Sequence, residues 1–429
     1  MPDSAAKDLK FAWHPFTHLK YAPKNINIVS AKGAHYFDEH KKKYIDGISS
    51  WWVNLHGHSH PYLIKKINQQ LKKNAHSIFS GFTHPQAIKL AERLVSILPG
   101  QQSKIFFSDD GSTAVEVAIK MALQFFHNKN YPDSYRERTK IIALENAYHG
   151  DTFGGMSVGA RNAFNNAFSS LLFDVVHIPV PFKENRTEVL NKLKATLIKN
   201  KCAAFIYEPV IQGAGGMVMY NKDVLDEMVA LCKKAGVICI ADEVMTGFGR
   251  TGKLFASEYL KNKPDIICLS KGLTGGIMPM GVTSCVEKIY KAFITDDKTK
   301  TFFHGHSYTA NPLSCSAANA SLDLLQKKET LKNISKISEA HEKFRKKISG
   351  NKQLKSVRCL GTIIAFELKS KENSGYLHSA AEKISEFFIQ KGIILRPLGN
   401  IFYILPPYCI KMKDLKYIYS EIENFLKTC

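Results

Sequence analysis

From Lys104 onward, short apolar runs alternate with stretches whose apolar positions recur every three to four residues. The runs are Lys104–Phe107, Lys140–Leu144, Val175–Pro179, Ala203–Tyr207, Gly236–Ala241, Asp265–Leu269 and Gly281–Cys285. They are rich in Ile, Val, Phe and Cys, and most lack polar alternation. Such runs predict strands buried on both faces, as in a mainly parallel sheet with helices on each side. The stretches between them, Thr113–Phe126 and Asp223–Ala235 among others, carry the helical period. The pattern defines an α/β fold.

After Asn311 the texture changes. It predicts one long helix over Cys315–Ile348, a strand at Thr362–Leu368 and a helix at Ser379–Lys391. Short strands follow around Ile393–Arg396 and Phe402–Leu405, then a last helix over Lys413–Lys427. This mixture predicts a smaller α+β domain. The expected division is a large domain over 50–310 and a small one over 311–429, with residues 1–49 joining the small domain. No internal repeat or low-complexity segment interrupts this picture.

Composition adds bulk constraints. The chain has 429 residues, 45% of them hydrophobic, enough for a sizeable core. Lys and Arg number 59 against 38 Asp and Glu, a formal charge of +21, which raises the question of a nucleic-acid partner. The lysines are scattered, with no long basic arm and no basic run interleaved with aromatics, so no nucleic-acid partner is expected. The alternative class, a non-catalytic basic binding protein, rests on this charge alone. Nine cysteines, an odd number without a C-x-x-C pair, argue against a disulfide framework or a zinc ribbon. Residues 1–13 lack an apolar signal core and no window reaches the length of a membrane span, so a cytoplasmic location is expected.

The candidate chemistry lies just past strand ends. Ala203–Tyr207 is followed by Glu208, Val237–Ala241 by Asp242, and Ile266–Ser270 by Lys271. Ligands of open α/β sheets sit at the carboxyl ends of strands. Pyridoxal phosphate (PLP) needs a lysine amine for its Schiff base and a carboxylate that keeps its pyridine nitrogen protonated. Lys271 and Asp242 meet both needs. Ser108-Asp109-Asp110-Gly111-Ser112-Thr113 follows a strand and opens a helix, where backbone N–H groups bind phosphate, although Ser and Thr there also serve as plain caps. Tyr148, after the strand Lys140–Leu144, is a candidate to flank the ring or a buried strand-end Tyr.

Other motifs carry less. Gly247-Phe248-Gly249-Arg250-Thr251-Gly252 fits a dinucleotide fingerprint formally, but Asp242 and Glu243 would repel a pyrophosphate. As a P-loop it fails because Leu254 stands where Ser or Thr must bind Mg²⁺. His56-Gly57-His58-Ser59-His60 lacks neighbouring acids and cysteines and reads as a loop, so no metal is expected.

Taken in order, Ile240-Ala241-Asp242-Glu243-Val244, Thr246 to Gly252, and Ser270-Lys271-Gly272 resemble the class-III aminotransferase signature of fold-type I PLP enzymes. The resemblance covers nearly the whole chain. Trp13-His14-Pro15-Phe16-Thr17, Ser49-Ser50-Trp51-Trp52, Tyr148 to Thr152, Phe303 to Tyr308, and Arg396-Pro397-Leu398-Gly399 resemble one branch of that family. That branch aminates 8-amino-7-oxononanoate (KAPA) to 7,8-diaminononanoate in biotin synthesis, usually with S-adenosylmethionine as amino donor. The resemblance implies Lys271 as Schiff-base lysine and proton shuttle, and Asp242 at the pyridine nitrogen. It implies Gly111 and Ser112 at the phosphate and Tyr148 beside the ring, while Glu208, before Pro209, either orients cofactor-side groups or caps its strand end. Phe16, Trp51 and Trp52 would line the substrate pocket, and Arg396 would take the substrate carboxylate. Gly305, His306 and Ser307 would reach the phosphate region of a partner subunit, which implies a homodimer. Many members have Tyr where this chain has Phe16. Phe16 together with Gly305-His306-Ser307-Tyr308 resembles a branch that takes lysine as donor, so the same reaction with lysine, or another ω-aminotransferase activity, stands as the alternative.

Overall fold

The computed structural model describes residues 4–21, 24–129, 137–372 and 375–429. All seven apolar runs form strands of one sheet. They are β1 (Gln102–Ser108), β2 (Lys140–Leu144), β3 (Val175–Ile178), β4 (Cys202–Tyr207), β5 (Ile238–Asp242), β6 (Ile266–Leu269) and β7 (Gly281–Val286). Their spatial order is β1-β7-β6-β5-β4-β2-β3. Neighbours from β6 through β3 run parallel, while β7 is antiparallel to both β6 and β1. The sheet is therefore mainly parallel, as the patterning requires.

The absence of polar alternation follows from burial on both faces. Ile238 and Ile240 of β5 pack into a cluster with Val117, Ala118 and Phe125 of the helix Gly111–Asn128. Cys239 and Ala241, pointing the other way, pack with Leu193 of Arg186–Lys199 and Val229 of Lys222–Lys234. Two apolar layers thus clamp the sheet and fix the height of its carboxyl edge.

The C-terminal third departs from one expectation. The long helix over Cys315–Ile348 is two helices, Pro312–Leu325 and Lys328–Ile348. Lys327 adopts an extended conformation (φ −67°, ψ 136°), and the Thr330 hydroxyl donates to the Leu324 carbonyl at 2.8 Å, capping the first helix. The strand Leu354–Leu360, which the pattern did not show, pairs with Ile363–Leu368, and that strand pairs with Ile401–Ile404. Three N-terminal strands, Ile28–Lys32, His35–Asp38 and Lys43–Asp46, form a sheet closed by Ile393–Ile394. The helix Pro312–Leu325 lies against Pro61–Leu71 and Pro85–Ile97. Among the described residues no helix is long and apolar enough to cross a membrane.

Candidate active site

The three strand-end groups meet at one edge of the sheet. Asp242 closes β5, Glu208 follows β4, and Lys271 opens a short turn after β6. Lys271 is held at φ 47°, a left-handed conformation that costs a residue with a Cβ. The Ser270 hydroxyl donates to the Met280 carbonyl (2.7 Å), the Thr274 hydroxyl to the Met278 carbonyl (2.5 Å), and the Ser321 hydroxyl to the Gly272 carbonyl (3.3 Å). Gly275, left-handed at φ 67°, ends the turn. The amine lies 4.5 Å from the Trp52 ring centre. Burial pushes its pKa down to about 8 against the attraction of Asp242 and Glu208.

Asp242 Oδ2 faces His149 Nδ1 at 2.7 Å, and Oδ1 accepts the Val244 N–H at 3.0 Å. His149 is buried, and its Nε2 has no hydrogen-bond partner among the described residues. Glu208 accepts the Tyr148 N–H (3.2 Å) and the Gly213 N–H (2.8 Å). Burial raises the Glu208 pKa to about 7. The Tyr148 hydroxyl donates to Asp151 Oδ2 at 2.9 Å, and burial beside carboxylates raises its pKa.

A candidate anion cradle lines the same cavity at the start of the helix Gly111–Asn128. Asp110 caps the helix Gly111–Asn128 by a reciprocal pair. Its side chain accepts the Thr113 N–H at 2.8 Å, and its own N–H donates to the Thr113 hydroxyl at 3.1 Å. The Ser112 hydroxyl accepts the Asp151 N–H at 3.4 Å. Glycines keep the space open. A Cβ on Gly111 would come within 2.7 Å of Val244 Cγ1, and one on Gly150 (φ +113°) within 2.2 Å of Ser112 Oγ.

The outer wall is aromatic and carries one cation. The Arg396 guanidinium carbon lies 3.9 Å from the Trp51 ring centre and 5.7 Å from that of Phe16. Its Nη2 donates to the Tyr376 hydroxyl at 3.2 Å. Phe16 meets Trp51 edge-on at 5.5 Å, and Phe164 meets Tyr376 at 4.7 Å. No carboxylate of the described residues pairs with Arg396, so its planar fork is available to an anion.

One cavity of about 330 Å³ is lined by Phe16, Trp51, Trp52, Gly111, Ser112, Tyr148, Glu208, Asp242, Lys271 and Arg396. The remaining candidates lie outside it. Gly305 and Ser307 are exposed, and His306 is half-buried with Nε2 3.9 Å from Asp109 Oδ1. The sequence reading missed His149, Phe164 and Tyr376. His149 had a signal, standing between Tyr148 and Gly150; Phe164 and Tyr376 arrive on loops without a motif. The glycine loop 247–252 is structural. Glu243 accepts the Thr246 hydroxyl (2.6 Å) and the Ala256 and Ser257 N–H groups (2.9 and 2.6 Å). Buried Arg250 donates to the Pro406, Trp52 and Asn54 carbonyls. The histidine run is likewise engaged. His56 meets the Ser321 hydroxyl, His58 meets Asp46, and His60 accepts the Tyr62 N–H.

The family model for class-III aminotransferases matches residues 18–426, and the chain belongs to this family. It is a PLP-dependent aminotransferase. An adenosylmethionine-8-amino-7-oxononanoate aminotransferase from Synechococcus elongatus is 44% identical, over 96% of this chain and 98% of the relative. A protein of the same name from Staphylococcus aureus is 38% identical, over 96% and 94%. The crystal structure of another, from Methanocaldococcus jannaschii, superposes with a TM-score of 0.93 at 37% identity, covering 99% and 98% of the two chains. A PLP-bound amine transaminase from an uncultivated Pseudomonas species superposes at 0.90 with 28% identity, covering 97% and 98%.

The cavity fits that cofactor. A Cβ on Gly111 or Gly150 would collide with Val244 or Ser112, both of which line the cavity at the cradle. The cradle lies in the same cavity as a buried amine with a lowered pKa and a carboxylate backed by a histidine.

Proposed function

We propose that this chain aminates KAPA to 7,8-diaminononanoate, the biotin-synthesis step, with S-adenosylmethionine as donor. The observation that carries the reading is the position of Arg396: a guanidinium stacked on Trp51, with no carboxylate partner among the described residues, in the cavity that holds Lys271 and Asp242. Amine, ring-nitrogen carboxylate and a carboxylate-binding fork thus line one volume. The donor and acceptor named by relatives at 37–44% identity agree with it.

The geometry supports the following roles. PLP, when bound, supplies a protonated ring that absorbs the electron pair left on the substrate carbon. Asp242 keeps that ring nitrogen protonated, and His149 holds the Asp242 carboxylate in place. Gly111 and Ser112 hold the phosphate at a helix N-terminus, while Tyr148 and Glu208 border the ring. Lys271 Nζ would hold and move the proton at the amine-bearing carbon, taking it from the donor and returning it to KAPA. Phe16, Trp51 and Trp52 pack the carbon chain, and Arg396 takes the carboxylate.

The site is completed by a homodimer in which Gly305, His306 and Ser307 reach the partner's phosphate. The loop's flanking aromatics support this, since Phe303 and Tyr308 are 72% and 63% exposed. Nine free cysteines fit a cytoplasmic enzyme. Residues 1–49 join 311–429 as the smaller domain beside 50–310, supported by the pairing of Lys43–Asp46 with Ile393–Ile394. The helix Pro312–Leu325, which packs on the large domain, is the exception.

Phe16 favours a second reading for the donor alone. It presents a ring without a hydroxyl to Trp51 and Arg396, as in the lysine-using branch. A spectral titration of the PLP-loaded protein separates the two. S-adenosylmethionine alone should discharge the visible band. Discharge by lysine alone would overturn the donor assignment and leave the acceptor intact.

A further inference from the structure

Three of the four residues Ser49–Trp52, none of them glycine, hold positive φ: Ser49 at 55°, Ser50 at 61° and Trp52 at 67°. Such backbone persists only where its surroundings over-determine it. The strain is spent on presentation. Trp51 lies under Arg396, and the Trp52 ring lies beside the Lys271 amine.

What holds the turn is a buried carboxylate outside the cavity. Asp46 is completely buried. Its Oδ1 accepts the Ile48 N–H at 3.1 Å and its Oδ2 the Ser50 N–H at 2.7 Å. The third contact is His58 Nε2, 2.8 Å from Oδ2. The proton on that nitrogen follows from the network. Asn54 Oδ1 accepts the Gly57 N–H at 2.8 Å, which turns the Asn54 amide nitrogen toward His58 Nδ1 at 2.9 Å. Nδ1 is therefore an acceptor, and Nε2–H donates to Asp46. Tyr36 closes the cluster, its hydroxyl 2.5 Å from Ser50 Oγ and its ring centre 4.2 Å from that of His58.

Asp46 also lies at a junction. It pairs in register with Ile394, two residues before Arg396, and the Gly47 N–H donates to the Ile394 carbonyl at 3.1 Å. Residue 46 thus holds the turn bearing Trp51 through its carboxylate and adjoins, through its backbone, the strand Ile393–Ile394 that precedes Arg396.

We infer that Asp46, held by His58, is a positioning residue that sets the Trp51–Arg396 wall for the substrate carboxylate. The inference rests on the reading that Arg396 binds that carboxylate. Asp46 touches no reacting atom and acts through the turn.

The test uses the full-length PLP-loaded enzyme. In either orientation Asp46→Asn sets an amide N–H against a donor, the Ile48 N–H at Oδ1 or the Ser50 N–H and His58 at Oδ2, so the turn must shift. A shift of about 1 Å costs on the order of 10- to 100-fold in a positioned interaction. The expected result is a KM for KAPA raised about tenfold or more, with kcat changed much less. The methyl ester of KAPA offers Arg396 no anion, and its kcat/KM should fall much less than that of the acid. In a Trp13→Phe background, which leaves Trp51 and the buried Trp52, acrylamide quenching should rise about twofold, a reading that needs no turnover. Equal losses on acid and ester with unchanged quenching would overturn the inference. If Asp46→Asn does not fold, His58 decides: His58→Gln keeps an N–H toward Asp46 and should hold the KM, while His58→Leu should raise it. Equal behaviour of the two refutes the role. If Arg396→Ala leaves the KAPA KM unchanged, the carboxylate reading fails, and the quenching measurement still judges the turn.

Discussion

The rate at which the apoprotein takes up PLP reports the electrostatics of Lys271 directly, because only the neutral amine attacks the aldehyde. Burial lowers this pKa from 10.5 to about 8, while Asp242 and Glu208 pull it upward. At pH 8 about half of such an amine is neutral, whereas an ordinary lysine is about 0.3% neutral there. The cavity therefore raises the reactive fraction on the order of 100-fold at that pH. The uptake rate should climb about tenfold per unit below pH 7.5 and level off above about 8. Asp242→Asn removes the carboxylate that most favours the charged amine, so its plateau should begin at a lower pH. The assay is stopped-flow absorbance of apoprotein mixed with excess PLP between pH 6 and 10.5. A rate still climbing tenfold per unit at pH 10 would refute this reasoning, as would a midpoint that rises in Asp242→Asn.

Two further outcomes follow from geometry outside the lysine. Gly150→Ala puts a methyl into Ser112 Oγ at a positive φ, so PLP affinity should fall about tenfold or more, measured by equilibrium dialysis, with folding retained. His341 is buried neutral between the Tyr419 hydroxyl (2.7 Å) and the Thr362 carbonyl (3.1 Å), and burial pushes its pKa down to about 3. The unfolded chain binds the proton first, so this stability is complete above about pH 6.5 and is lost as pH falls toward 3. Urea unfolding should show an acid slope that is shallower in His341→Gln by up to about 1.4 kcal/mol per pH unit; an unchanged slope contradicts the assignment.

Much of this was legible because burial writes itself into composition. The seven sheet strands carry apolar residues on both faces, so continuous runs were sufficient to find them, and their ends led to Glu208, Asp242 and Lys271. Elements with one exposed face were harder. Leu354–Leu360 mixes lysine, serine and arginine with apolar residues and gave no clear period. The break at Gln326-Lys327 escaped because apolar spacing continues across it; the turn shows only in the extended backbone of Lys327 and the cap from Thr330. The site was legible where one residue type has one chemical use, as for a lysine after an apolar strand. It was not legible where the role depends on a neighbour in space. His149 matters because Asp242 is 93 residues away in the chain and 2.7 Å away in the fold. Tyr376 matters because Arg396 needs an acceptor, and Asp46 because a strained turn needs its N–H groups held.

The central claim is that Lys271, in this cavity, moves the proton in the transfer of an amino group to KAPA. The direct measurement is incubation of the PLP-loaded protein with KAPA and S-adenosylmethionine, with 7,8-diaminononanoate quantified by mass spectrometry beside Lys271→Ala. The expected result is product from the unaltered chain and a loss on the order of 1000-fold or more in the variant. Absence of product with either S-adenosylmethionine or lysine as donor, or full turnover by Lys271→Ala, would contradict it.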